Sequence, residues 1–131
     1  MNMSLRKLLP VLLCFLCSAS LAQPAKTQTS KPQPTAVILK TANTLLEAQQ
    51  FEAAEEYFKK ALLNARVTKN TYHQAQAYEG MGNLYSRTKQ QTQAVSSYQN
   101  AIKLYKALGF NVIADVLSSQ VKSVLGIGDV Y

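Results

Sequence analysis

Side chains able to act as nucleophile, general base or metal ligand are scarce in this chain. His73 is its only histidine, and no cysteine or carboxylate stands at ligand spacing around it. The spacing therefore predicts no metal site and no imidazole base. Both cysteines, Cys14 and Cys17, fall in an apolar run near the amino end, so a chain cleaved beyond them would have no thiol for catalysis, metal binding or disulfides. Glu52, Glu55 and Glu56 cluster, but Lys59 and Lys60 follow four residues after the last two, which is the spacing of ion pairs on a solvated helix face. Each such pair contributes only about 0.3 kcal/mol. The glycines are isolated, so no loop can cradle a phosphate. The expectation is no catalytic, metal or cofactor-binding residue, no cofactor, and no enzyme.

What the chain does carry is apolar and small residues at helical spacing. Tyr78, Met81, Gly82 and Tyr85 fall three and four apart and share one helix face; Ala94, Tyr98 and Ala101 do the same beyond a polar break. The stretch predicts a helical hairpin. Antiparallel helices approach closely only where a residue has little side chain, so Gly82 and Ala94 are expected at the contact, with large rings filling around it.

Written as Tyr78-x2-Met81-Gly82-x2-Tyr85 and Ala94-x3-Tyr98-x2-Ala101, the stretch resembles a tetratricopeptide repeat, W-x2-L-G-x2-Y followed by A-x3-F. Sliding back forty residues gives Ile38-x2-Thr41-Ala42-x2-Leu45 and Ala54-x3-Phe58-x2-Ala61, an internal repeat. The first copy is weaker in its opening helix, where Thr41 replaces an apolar residue and Ala42 the glycine. The period of forty exceeds the family's usual length of about thirty-four, and Arg66 and Lys106 stand where a closing proline is usual, so the second helix of each pair is expected to be longer. Forty residues further on, Val121 and Leu125 match Met81 and Tyr85, but Lys122 holds the glycine's place. The resemblance implies an all-α fold of antiparallel helical hairpins, two repeats plus a carboxy-terminal capping helix.

The resemblance also implies that first helices line a groove and second helices face outward. Groove positions would then be Lys40, Asn43 and Glu47, then Gln76, Glu79, Asn83 and Arg87, with Ser119, Gln120 and Ser123 completing the row. Asn43 and Asn83 are equivalent, and an asparagine can donate to and accept from a peptide backbone, holding an extended segment regardless of its side chains. The clamp of two lysines, one arginine and two asparagines that some relatives place on a terminal carboxylate is not reproduced; only Asn43 fits it. The implied function is a non-enzymatic protein-interaction module that binds a peptide or partner helix. The alternative is a self-associating protein whose open repeat ends stack on other copies.

In chain order, Arg6 and Lys7 precede an apolar run from Leu8 to Leu21, and Ser20-Leu21-Ala22 supplies small residues for a signal peptidase. The run is about fourteen residues, short of the roughly twenty that span a bilayer. Cleavage after Ala22 and export to a periplasm or the exterior is the expectation; a lipoprotein signal on Cys14 or Cys17, or an uncleaved anchor, are the alternatives. Gln23 to Pro34, with three prolines, is expected to be a flexible spacer. The helical domain is placed at residues 35–126 and a short tail at 127–131. Predicted helices run from about Thr35, as a cap, to Gln49; Phe51 to Arg66; Tyr72 to Thr88 after an Asn70 or Thr71 cap; Gln93 to Leu108 after a Thr92 cap; and onward from an Asn111 cap. Gly109 is expected in a left-handed terminating conformation, with Phe110 folding back. The last helix presents Val112, Ile113, Val116, Leu117, Val121, Val124 and Leu125 as a broad apolar stripe.

The formal charge is +7. Arg6 and Lys7 carry two of these charges, leaving about +5 on the remainder, scattered over every helix without a basic run. Nucleic acid is not an expected partner. About three repeats are usually needed for a stable array, so two and a half predict modest stability.

Overall fold

The computed structural model describes residues 32–127. The expected export signal, its cleavage point, most of the spacer and the tail beyond Ile127 lie outside the described residues. Five helices follow one another: α1 (Thr35–Glu47), α2 (Phe51–Val67), α3 (Thr71–Arg87), α4 (Gln91–Ala107) and α5 (Asn111–Val124). No strand occurs among the described residues, and no helix there is long and apolar enough to cross a membrane. Consecutive helices pack on one another, and α1 also touches α3.

The forty-residue period has a simple physical origin. α2, α3 and α4 are each 17 residues long. The residues Gln49, Lys69, Lys89 and Gly109, spaced twenty apart, each take a left-handed φ between 53° and 82°. In every case the left-handed residue's N–H bonds back three residues and the next N–H bonds back five, as in Gln49 to Leu46 (3.1 Å) with Gln50 to Leu45 (2.9 Å), and Gly109 to Lys106 (3.0 Å) with Phe110 to Tyr105 (2.9 Å). This paired closure satisfies carbonyls that a helix end otherwise leaves open. Both helices of the second pair therefore have the same length, where lengthening of the second helix alone was expected.

The same closure explains why several predicted caps are absent. The next helix starts at once, so Gln90 and Phe110 become the residues before α4 and α5, and Thr92 and Asn111 lie inside those helices. Thr35 is likewise a buried residue of α1 preceded by Pro34, with no side-chain cap. At α3 the Asn70 carboxamide oxygen does accept from the His73 N–H at 2.9 Å.

The core is a single file of small residues and rings. Ala42, Ala54, Ala61, Ala94 and Ala101 have no exposed surface, and Phe58, Tyr98 and Tyr105 are buried among them. Leu45, Tyr78 and Met81 are partly buried against this file. α3 receives rings from both sides. A Cβ on Gly82 would lie 2.5 Å from Cδ1 of Tyr98, on α4, and a Cβ on Gly80 would fall inside the Phe58 ring of α2. Glycine is demanded at both positions because aromatic rings rest directly on the helix backbone. Gly82 thus meets a ring where Ala94 was the expected neighbour, and Gly80 makes the contact between repeats.

At the carboxy-terminal side α5 buries only Ala114 and Leu117 fully, with Ile113, Val121 and Val124 partly buried. Val112 (78% exposed) and Val116 (55%) are left in solvent, so the apolar stripe is wider than the surface it covers. Phe110 turns back as expected. Its ring lies 5.5 Å from that of Tyr72 and 6.3 Å from that of Tyr105.

Candidate functional site: the face shared by α1, α3 and α5

α1, α3 and α5 each present one stripe of residues to a common face. Between α1 and α3 a cleft of about 690 Å³ is lined by Ala36, Leu39, Lys40, Asn43, Thr44 and Glu47 on one side and Tyr72, His73 and Gln76 on the other. A second cleft, of about 330 Å³, brings Asn43, Leu46 and Glu47 of α1 together with Asn83, Ser86 and Arg87 of α3 and Gln120 of α5; Tyr98 forms its floor from α4. Lys40, Asn43, Glu47, Gln76, Asn83, Arg87 and Gln120 therefore all lie in one of these two clefts. Glu79 lines neither. Ser119 bonds back to the Asp115 carbonyl at 3.2 Å, and Ser123 lines a separate 400 Å³ hollow with Tyr85, Ser86, Lys89, Gln91 and Val124.

Several of these polar groups are held from within the protein. The Arg87 guanidinium donates to a Glu47 carboxylate oxygen at 2.9 Å and to the Leu46 carbonyl at 3.2 Å, which ties α3 to the end of α1. Both side chains are largely exposed, so the ion pair contributes little to stability and mainly orients the fork. Glu79 accepts from the buried Tyr105 hydroxyl at 2.7 Å. Asn83 accepts at Oδ1 from the Tyr98 hydroxyl at 2.7 Å. Asn43, Gln76 and Gln120 have no side-chain hydrogen bond among the described residues.

Three tyrosines share one electrostatic pattern. Burial pushes the Tyr85 phenol up to about 12, and the Glu55 carboxylate that accepts its proton at 2.8 Å pushes the same way. Burial, then the bond to Glu79, raises Tyr105 further. Tyr98 is also raised, first by burial and then by the Glu79 charge, with the Arg87 charge opposing. Lys59 bonds to Glu55 at 2.7 Å and, with Tyr85, holds that carboxyl below its ordinary value despite partial burial. The Glu56 to Lys60 pair does not close, and Lys60 instead lies 5.7 Å over the Tyr57 ring.

Tyr72, His73 and Ser86 also line the clefts, and sequence spacing had not singled them out for this face. Their signal was the helical period itself, since Tyr72 and Gln76 precede Asn83 on one stripe. The stripe on α5 runs Val112, Val116, Gln120 at four-residue steps. Two exposed valines thus continue the row that Gln120 joins to the cleft, and Val112 and Val116 match Tyr72 and Gln76 one repeat earlier. The face is apolar toward the beginnings of the first helices and polar toward their ends.

No group of three His, Cys, Asp or Glu residues among those described is placed to hold a metal ion. Searches of curated proteins and of solved structures returned no significant match. The sequence model described as tetratricopeptide repeat matches residues 34–107, more than half of the chain. With five antiparallel helices in forty-residue register, this chain belongs to the tetratricopeptide repeat family, whose repeats generally mediate protein–protein interactions.

Proposed function

We propose that the chain is a non-enzymatic binding module that holds a polypeptide segment, extended or helical, across the face shared by α1, α3 and α5. The observation that carries this reading is the convergence of Asn43, Asn83 and Gln120, one amide from each first helix, on a single cleft. Primary amides pair with main-chain donors and acceptors of any sequence. The apolar edge formed by Tyr72, Phe110, Val112 and Val116 would take aliphatic or aromatic side chains of the same segment, which adds affinity that backbone contacts alone lack. Lys40 and Gln76 complete the polar side. In this reading the Glu47–Arg87 pair forms part of the cleft wall, and Glu79, bonded to Tyr105, supports the site from behind.

The expected setting is outside the cytoplasm, after removal of the segment ending near Ala22. Amino-terminal sequencing of the protein recovered from its native host tests that point: a mature start at Gln23 supports it, and an intact Met1 contradicts it.

The binding reading is tested by selecting 12-residue peptides displayed on phage against the full chain. Enrichment of binders that are lost on Asn43→Ala with Asn83→Ala supports it. Binders that survive both changes, or no binders, contradict it. A second reading rests on Val112, Val116, Leu125 and Ile127, which leave apolar surface exposed at one end of the array. Self-association through that end would show as a concentration-dependent sedimentation coefficient that a Val112→Asp, Val116→Asp double variant abolishes.

A further inference from the structure

The two repeats treat their equivalent asparagines differently. Phe58 closes the first repeat and has no hydroxyl, and Asn43 makes no side-chain hydrogen bond among the described residues. Forty residues on, Tyr98 stands in place of Phe58. It is 1% exposed, its ring rests on Gly82, and its hydroxyl reaches Asn83 Oδ1 at 2.7 Å.

A carboxamide offers an acceptor oxygen and a two-proton donor on opposite branches of one plane. Fixing the oxygen on a buried partner therefore fixes where the nitrogen points. A phenol can accept as well as donate, so the direction of the bond matters. The Tyr98 hydroxyl is the donor and the Asn83 Oδ1 the acceptor. The Asn83 oxygen is thereby committed to the core.

We infer that Tyr98 is a positioning residue: its hydroxyl turns the Asn83 Nδ2 toward the cleft and makes Asn83 a dedicated donor to a main-chain carbonyl of the bound segment. Asn43, which lacks such a partner, stays free to present either end of its amide. The inference rests on the binding reading proposed above and sharpens it. The second repeat sets the register of the segment by demanding a carbonyl, and the first adapts to whatever follows.

The test uses the full chain and the phage-selected 12-residue peptides. Tyr98→Phe removes only the hydroxyl and is expected to weaken the tightest peptides about five- to tenfold, in line with one hydrogen bond. Asn83→Asp, which replaces the donor by an acceptor, is expected to weaken them at least as much. The double variant should be no worse than Asn83→Asp alone, since the two residues act as one unit. Asn43→Asp should cost less than Asn83→Asp. Affinities within about twofold for a folded Tyr98→Phe protein would overturn the inference and leave the binding reading standing. Failure to select any peptide from the wild-type chain would remove both. A second measurement needs neither a variant nor a ligand: nuclear Overhauser contacts of the Asn83 amide protons in the wild-type chain. Contacts to Gln120 without contacts to the Tyr98 hydroxyl support the assignment, and strong contacts to that hydroxyl overturn it.

Discussion

The first hairpin, α1 with α2, and the second, α3 with α4, share a backbone plan but close their cores in different ways. In the first, Ala42 faces the partner helix and Phe58 ends in hydrocarbon, driven into the next repeat at Gly80. In the second, Gly82 lets Tyr98 rest on the backbone, and the hydroxyls of Tyr98 and Tyr105 emerge on Asn83 and Glu79. The same ring thus serves packing alone in one repeat, and packing plus orientation of surface polar groups in the other. A repeat can tolerate alanine for glycine when its ring goes elsewhere. It can carry a buried hydroxyl only when a polar partner waits at the far side.

That contrast predicts unequal costs for equivalent changes. The largest is expected for Phe58→Ala, about 3–5 kcal/mol, because a fully buried ring that joins α2 to α3 leaves a cavity between repeats; urea unfolding followed by helical circular dichroism measures it. Gly82→Ala comes next, with a loss of about 1–3 kcal/mol despite the better helix propensity of alanine, since the added carbon meets the Tyr98 ring. The mirror change, Ala42→Gly, should cost only about 1 kcal/mol. Equal costs for the two would break the comparison.

Alkaline pH probes the hydroxyls. A phenol whose folded pKa is raised above its unfolded value of about 10 holds its proton more tightly when folded. Its contribution is complete below pH 10 and is lost as pH rises through the folded value, about 12 for Tyr85. Stability should therefore fall above pH 10. Tyr85→Phe and Tyr105→Phe should each flatten that fall. The smallest effect concerns the turns. Lys69 and Lys89 sit at left-handed φ of 53° and 62°, where a β-carbon is strained, so Lys89→Gly should stabilise by about 0.5 kcal/mol net.

The sequence exposed the array through spacing. Residues at three and four apart, repeated after forty, determine which faces are buried, and burial is what the helical period encodes. The ends of the helices were less legible. Gln49, Lys69 and Lys89 do the work that glycine usually signals; because each next helix starts at once after such a turn, Thr92 and Asn111 fall inside their helices, and Thr35 falls inside α1 after Pro34. Gly80 went unnoticed because it matches Lys40 in the first copy, and its need arises only when Phe58 arrives from the neighbouring repeat. Within the candidate site, the stripe Lys40, Asn43, Glu47 followed from the repeat resemblance, which implies that residues between the packing positions of a first helix face the groove. The bonds from Tyr98 and Tyr105 did not, since they depend on the depth of two helices in contact. The one trace was tyrosine at the signature's phenylalanine position.

The most direct test of the account is a nitrogen-15 NMR titration of the labelled full chain with a phage-selected peptide. The account predicts shift changes gathered on Lys40, Asn43, Gln76, Asn83, Val116 and Gln120, with the exposed α2 residues Leu63 and Val67 unmoved. Changes centred on Leu63 and Val67, with the face of α1, α3 and α5 unmoved, would contradict it.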